Sequence, residues 1–370
     1  MRKVIINGAN GFVASNFIVE LLNQNYYVIA LVRGEDDAHA RKRMLNALNK
    51  LDKNESFSSK KLTVYNYSLL DTDFSISPEH LSEIFGDRVD YFHFAASLKF
   101  SEKKKDEIFE TNISGVENSI KVFEKYTSEK SRFFFISTAY SCGKTDKKFE
   151  ERFYENEEII NFRNYYEQSK RRAENVVKNH IENNGLNAFI IRPSQVVGNS
   201  LTGITITDLG IFDFIKRIYT IANRYPEETI RIKADPGATQ NLIPIDTLVF
   251  YLIRTVKVFN MPVVINFVAK QPVKNKHIID CINDILPIKI VFCKKLDINA
   301  MTPIERQVNA GMSFTSSYCD TKLRFSTKNL DKLIVSKGNE INTISLWKMI
   351  YYFIDNVLIN KETYNINYAD

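Results

Sequence analysis

Nine residues near the amino terminus, Val4-Ile5-Ile6-Asn7-Gly8-Ala9-Asn10-Gly11-Phe12, restrict the fold of this chain more than any other stretch. The apolar run reads as a buried strand, it stops at a glycine turn, and an amphipathic helix follows from about Phe12 to Leu22. Only 13 glycines occur in 370 residues, where ordinary usage of about 7% would give roughly twice as many, so Gly8 and Gly11 are not background. Gly8 permits a tight turn, and Gly11 lets a pyrophosphate reach the backbone at the positive end of the helix. Ala14 is small enough for close helix–sheet packing.

The same grammar repeats along the chain. Tyr26–Val32, Lys61–Tyr67, Val89–Phe94, Phe133–Phe135, Ala188–Ser194 and Val263–Val268 read as strands. Helical stretches alternate with them at about Glu107–Lys125, Thr247–Val256 and Lys274–Ile285, and residues 50–60 read as a polar surface loop. Strands separated by helices must run parallel, so the predicted fold is α/β, a Rossmann-like doubly wound parallel sheet. We assign residues 1–200 to the dinucleotide-binding domain, with 240–270 returning to it. Residues 200–240 and 270–370 form a smaller, mostly helical substrate-binding lobe, in which Trp347–Leu358 is strongly apolar.

Tyr166 and Lys170 stand four residues apart and share one helix face. A phenol next to an ammonium is a better proton donor or acceptor than one alone, which is general acid/base chemistry. With 18 tyrosines in the chain such a pair also arises by chance on a solvated helix face, so its setting decides. Upstream, Ile136-Ser137-Thr138-Ala139-Tyr140 delivers hydroxyls at the end of an apolar strand, and downstream Arg192-Pro193-Ser194 closes the next one. Open α/β sheets place their sites at that end.

Bulk properties exclude several alternatives. A net charge of +6 is modest, and Lys103-Lys104-Lys105 lies between acidic residues, so no nucleic-acid partner is expected. Cys142, Cys281, Cys293 and Cys319 lack paired or metal-ligand spacing and no secretory signal is legible, which points to a cytoplasmic protein. No apolar run approaches the ~20 residues of a membrane span. The five histidines are isolated, so no metal site is expected.

Together the Gly8/Gly11 turn, Thr138, and the pair Tyr166 and Lys170 resemble the extended short-chain dehydrogenase/reductase superfamily. Leu31-Val32-Arg33, Ala40-x-x-Arg43, Ala95 to Phe100, Ser137-Thr138-Ala139-Tyr140 and Arg192 to Gly203 are similar to its thioester reductase and fatty acyl-CoA reductase branch, the male-sterility type. The resemblance covers residues 1–270 well and the last hundred loosely, through Tyr318 to Leu330. It implies Thr138, Tyr166 and Lys170 as catalytic residues, with Lys170 lowering the Tyr166 pKa. It implies a cofactor held by Gly8, Asn10, Gly11, Phe12, Val13, Arg33, Arg43, Ser68, Leu69, Ala95, Ala96, Tyr166, Lys170, Pro193 and Ser194. Thr111-Asn112-Ile113-Ser114-Gly115 matches a motif whose asparagine braces the active-site backbone, and Asn241 to Asp246 a segment that returns the chain to the core.

Arg33 stands where an NAD-specific fold would hold an acid, so NADPH is expected; Arg43 either completes a basic clamp or belongs to a solvated helix. Relatives commonly carry an aspartate near the adenine where this chain has Ser68. The expected reaction is NADPH-dependent reduction of an acyl thioester to aldehyde or alcohol. No carrier or adenylation segment is legible, so the acyl group is expected on a separate carrier protein or coenzyme A; a homodimer is possible. The alternatives are a ketone or aldehyde reductase acting on a free small molecule, and a sugar-nucleotide epimerase or dehydratase, for which Ala139-Tyr140 and Arg33 lack the expected acids. A non-catalytic dinucleotide-binding regulator would have lost the tyrosine or lysine.

Overall fold

The computed structural model describes residues 3–51, 59–99, 102–311, 316–334 and 338–359. Most of the 50–60 loop, Phe100 and the segment after Ile359 lie outside the described residues. The chain divides into two compact units. The first comprises Met1–Ser194, Leu248–Val268 and Phe325–Lys337, and the second Gln195–Thr247, Ala269–Arg324 and Gly338–Asp370.

The first unit is built on the runs of apolar residues that the sequence shows. β1 (Lys3–Asn7), β2 (Tyr27–Val32), β3 (Leu62–Asn66), β4 (Val89–His93) and β5 (Arg132–Ile136) join the strands Ala188–Pro193 and Val264–Phe267. All seven pair in parallel, in the order Val264–Phe267, Ala188–Pro193, β5, β4, β1, β2, β3. The order runs outward in both directions from β1 and β4, which makes the sheet doubly wound and places the switch point at the Gly8 turn. Helices α1 (Phe12–Asn23), α2 (Asp37–Asn49), α3 (Pro78–Phe85), α4 (Lys105–Phe109), α5 (Gly115–Tyr126) and α6 (Tyr165–Asn184) supply the crossovers. Phe133, Phe134 and Phe135 are fully buried because both faces of a parallel sheet are covered.

The helix expected over Glu107–Lys125 is broken. Between α4 and α5 the residues Glu110–Ser114 form a wide π-type turn that holds Asn112. Such a turn inserts an extra residue and re-aims its side chains. Gly115 follows because a Cβ there would lie 2.7 Å from the Leu69 side chain.

One buried ion pair ties the sheet to the helix Ile245–Lys257. Arg132 binds Asp90 through two nitrogens, at 2.7 and 2.5 Å, and donates to the carbonyls of Thr255, Val256 and Val258 near the helix end. It thus satisfies carbonyls the helix cannot pair internally.

The second unit has its own core, drawn from Ile211–Arg224, Asn275–Ile285 and Thr343–Tyr352 together with the strands between them. Its helices match the expectation of a mostly helical lobe, but it also holds small sheets, including a parallel pair Thr229–Lys233 with Lys289–Cys293. These strands alternate too briefly to register as a pattern in the sequence.

At the switch point Gly8 has φ +59°, and a Cβ on it would stand 2.8 Å from the Ala95 nitrogen. Gly8→Ala is therefore expected to cost the ~1–2 kcal/mol of a left-handed non-glycine residue plus the energy of separating backbone segments. Urea denaturation measures this, and a stability within about 0.5 kcal/mol of the parent, the range of an ordinary surface substitution, would contradict it.

Candidate active site

The Gly8 turn is held from beneath by an asparagine. Asn7, fully buried at the end of β1, accepts from the backbone N–H groups of Phe94 (2.8 Å) and Ala95 (3.0 Å), fixing the loop that carries Ala95 and Ala96. Its amide nitrogen bonds Tyr91 Oη at 2.8 Å and His93 Nδ1 at 2.9 Å. Burial holds His93 neutral, its pKa pushed down to about 3 with the Lys170 charge adding to the effect. Gly11 caps α1 without a side chain, so the first N–H groups of that helix keep their donors for an outside partner. Asn10, Phe12 and Val13 flank this opening and are partly accessible. A cradle that a Cβ at Gly8 would close, at the bare amino end of a helix, fits a pyrophosphate.

At the end of β2, Arg33 is exposed and the Arg43 guanidinium donates to its carbonyl oxygen. The acids that follow Arg33 are occupied by backbone: Asp36 accepts from His39 N at 2.7 Å and Asp37 from Asn66 N at 3.0 Å. Asn66 in turn accepts from Gly34 N at 2.8 Å. Beyond β3, the Ser68 hydroxyl is hydrogen-bonded to the Asp71 carboxylate and helps to hold it below its ordinary range, after the larger effect of Ser75. Leu69 rests on Gly115. The residues Asp73, Phe74 and Ser75 all have positive φ, a left-handed turn pinned by the buried Phe74 ring and by its carbonyl, which accepts from Ser68 N. Nothing in the sequence pattern forecasts this turn.

The third group gathers around α6. Asn164 caps the helix by accepting from Glu167 N at 2.9 Å. Thr138 follows β5, accepts from Tyr140 N at 3.2 Å, and has its hydroxyl 3.4 Å from the Pro193 carbonyl. Ser194 is buried, and its hydroxyl has no partner among the described residues. Lys170 is 2% exposed and donates to the Ile136 carbonyl at 2.8 Å, two residues before Thr138. Asn112 holds Ser97 on both its N–H and C=O groups, at 2.7 and 3.1 Å, and donates to Ser169 Oγ at 2.9 Å, joining the β4 loop to α6. Asn112 therefore braces backbone, as its motif suggests.

Electrostatics depart from one expectation. Lys170 was expected to lower the Tyr166 pKa, yet burial, and then the charge of Glu167, push the phenol well above its ordinary value. The ammonium is directed to the Ile136 carbonyl and is itself destabilised: burial brings its pKa down to about 7, against the opposing pull of Glu174.

Glu174 is the site residue that motif reading missed. It is fully buried on α6 and accepts from Ser137 Oγ (2.5 Å), Ser141 Oγ (2.9 Å) and Arg192 (2.6 Å), with Arg171 at 2.5 Å. Burial opposes its charge, but the two guanidiniums and these hydrogen bonds hold its pKa down at about 2. The available signal was Arg192 itself, a charge inside an apolar strand that needs a buried partner. Among the described residues no three His, Cys, Asp or Glu side chains are grouped to hold a metal, and no helix is long and apolar enough to cross a membrane.

With this geometry in view, the profile of a family described as male sterility protein, an NAD-binding family, matches residues 6–251. The chain is 26% identical over 289 residues to the nonribosomal peptide synthetase asaC of Aspergillus flavus, covering 75% of this chain and 27% of that protein. It thus spans about a quarter of that relative's length. Among solved structures, the terminal R domain of the myxalamid PKS-NRPS pathway superimposes with a TM-score of 0.77 at 14% identity, covering 96% of this chain and 91% of that one. A thiolation-reductase di-domain from an archaeal non-ribosomal peptide synthetase gives 0.74 at 17% identity, covering 98% and 76%. At these identities the structural likeness speaks for the shared fold.

A lysine whose folded pKa lies below its unfolded one binds fewer protons when folded, so stability rises with pH between the two values. From about pH 7 to pH 9 the Lys170 contribution is expected to add up to ~1.4 kcal/mol per pH unit. Denaturation curves across that window should lose this increment in Lys170→Met; identical slopes in the two proteins would refute it.

Proposed function

This chain belongs to the male sterility protein family, which makes it an NAD(P)-dependent reductase of the extended short-chain dehydrogenase type, and on that premise we propose that it reduces acyl thioesters held on a carrier protein or coenzyme A, using NADPH. One observation carries the reading. The Gly8–Gly11 turn, Thr138 beyond β5 and the Tyr166–Lys170 face of α6 all belong to the first unit and lie inside the span that the family profile matches, which supports the reading. The thioester comes from the company the chain keeps, since the relatives named above are a peptide synthetase and domains of such synthetases.

The dinucleotide would be held by Gly8, Asn10, Gly11, Phe12 and Val13 at its pyrophosphate, by Ser68 and Leu69 at the adenine, and by Ala95, Ala96, Tyr166, Lys170, Pro193 and Ser194 toward the nicotinamide. Arg33 favours a 2′-phosphate, because the neighbouring Asp36 and Asp37 are already engaged with backbone amides. Arg43 contributes by bracing the Arg33 carbonyl. When bound, the nicotinamide supplies the hydride.

The chain's own residues manage the oxygen and its proton. Thr138 and Tyr166 stabilise the developing oxyanion at the thioester carbonyl, and Tyr166 donates its proton there, a step that requires the bound complex to offset the burial that raises the phenol pKa. The hemithioacetal so formed on the substrate collapses to aldehyde and free thiol, and a second reduction would yield the alcohol. Glu174 positions Ser137 and Ser141 on either side of Thr138, and Asn112 fixes the facing β4 loop.

Incubation with NADPH and a series of acyl-CoA and carrier-bound thioesters should consume the cofactor and release aldehyde or alcohol, identified by mass. Turnover of free aldehydes or ketones with every thioester inert would favour a carbonyl reductase instead. Tyr166→Phe keeps the ring and removes the acid, so kcat is expected to fall by about 10²–10⁴; near-normal turnover would exclude the tyrosine as proton donor.

Cofactor preference is checked separately. Arg33→Ala should weaken NADPH binding roughly tenfold or more while leaving NADH binding nearly unchanged. Equal affinity for the two cofactors, unaltered by the substitution, would overturn the assignment.

A further inference from the structure

Late in the chain a segment returns to the first unit as a strap. Phe325–Lys337 belongs to that unit, and within it Lys328–Leu333 is a short helix whose own cap residue, Thr327, makes no side-chain cap hydrogen bond. The first N–H groups of a helix need acceptors from elsewhere. Glu151, 178 residues before Asn329, supplies them: its carboxylate accepts from Asn329 N at 2.7 Å and from Leu330 N at 3.2 Å.

The same carboxylate seals a sheet edge. Val264–Phe267 is an outermost strand of the seven, and the carbonyls of Val263 and Phe267 accept from Ile190 and Ser194, so the backbone of Val264 and Asn266 faces outward. Glu151 accepts from Asn266 N at 3.0 Å, and the Asn329 side chain donates to the Val264 carbonyl at 2.9 Å. Left open, such groups are a template for another strand. Two side-chain amides tighten the knot. Asn266 Nδ2 donates to the carbonyls of Phe149 (3.2 Å) and Ser326 (3.1 Å), and Asn329 Nδ2 also reaches the Glu151 carbonyl at 3.3 Å.

From this knot two routes lead to Thr138. On either side of Glu151, the carbonyls of Glu150 and Arg152 accept from Arg192 at 3.1 and 3.0 Å; Arg192 binds Glu174, which holds Ser137 and Ser141. Separately, the Phe325 ring of the strap meets the Tyr140 ring edge-on, with centroids 6.4 Å apart and planes at 70°, an attractive and directional arrangement. Tyr140 N in turn donates to the Thr138 hydroxyl at 3.2 Å. The loop that carries Thr138 is thus fixed at two points, and Glu151 ties down both.

We propose that the strap is a working part of the active site, with Glu151 and Phe325 as positioning residues that set the Thr138 hydroxyl for the reductive step. This rests on Thr138 acting at the substrate oxygen. A displacement of about 1 Å at a reacting group costs up to ~10² in rate, so loosening the strap lowers kcat, while the Gly8 cradle, built on β1 and α1, keeps its hold on the dinucleotide.

The test measures kcat, KM and NADPH binding of the full chain with any carbonyl substrate it reduces, thioester or free aldehyde. Phe325→Leu removes the ring and leaves the clamp, Phe325→Tyr keeps the ring, and Glu151→Gln keeps the size but turns a donor toward the Asn329 N–H. Phe325→Leu and Glu151→Gln are expected to lower kcat by about 10–100-fold with NADPH affinity unchanged. Phe325→Tyr should stay active, as should Lys332→Ala, an exposed position on the strap helix. In protein labelled with 13C-threonine, the Thr138 methyl resonance, identified by its loss in Thr138→Val, should shift in the two impaired variants and stay fixed in the two active ones. If no carbonyl is turned over, the reductase reading fails and the resonance alone decides this proposal; if Glu151→Gln does not fold, the Phe325 pair decides. The proposal is overturned if Phe325→Leu lowers Tm but keeps the parent kcat, if Phe325→Tyr is as impaired as Phe325→Leu, or if the Thr138 resonance does not move.

Discussion

The first unit depends on one buried carboxylate. Glu174 lies on α6, yet its partners come from the loop after β5 (Ser137, Ser141), from the strand Ala188–Pro193 (Arg192) and from its own helix (Arg171). Arg192 extends the network by donating to the carbonyls of Glu150 and Arg152. A fully desolvated charge tolerates little displacement, since its cost is recovered only while every partner stays in place. That intolerance fixes the register of α6 against the sheet, and with it the heights at which Tyr166 and Lys170 stand.

A second polar knot performs the same service on the other side of the switch point. Asn7 bonds the backbone of Phe94 and Ala95 with its oxygen and the buried Tyr91 and His93 with its nitrogen. Gly8 can then approach Ala95 closely enough that no side chain fits between them. Asn112 completes the frame by spanning Ser97 and Ser169, and the π-type turn around it is the local distortion that lets one amide reach both. Three buried polar side chains thus hold two loops at the carboxyl edge of the sheet, Asn7 and Asn112 the one after β4 and Glu174 the one after β5. The apolar sheet beneath is stiff because its strands are covered on both faces.

Much of this was legible beforehand. Parallel strands announce themselves as short unbroken apolar runs, and the ones read from Val4, Val89 and Phe133 differ from the observed strands by at most a residue or so at their ends. The glycine turn, the order of strands and helices, and the family resemblance were all readable from local pattern. The broken helix at Glu110–Ser114, the left-handed turn at Asp73–Ser75 and the short strands of the second unit were not, because each is imposed by contacts from distant parts of the chain.

By itself the sequence determined the periodicities, and with them a doubly wound parallel sheet with Gly8 in the turn after its first strand and Tyr166 and Lys170 on one helix face. Those follow from spacing along the chain, which needs no knowledge of neighbours. Only the tertiary structure decided the charge states at the site. The Tyr166 phenol is pushed up rather than down, the Lys170 ammonium is brought toward neutrality, and Glu174 stays ionised with two arginines. A pKa depends on how much water is removed and which charges stand within a few ångströms, and those are set by residues far apart in the chain that meet only when it folds.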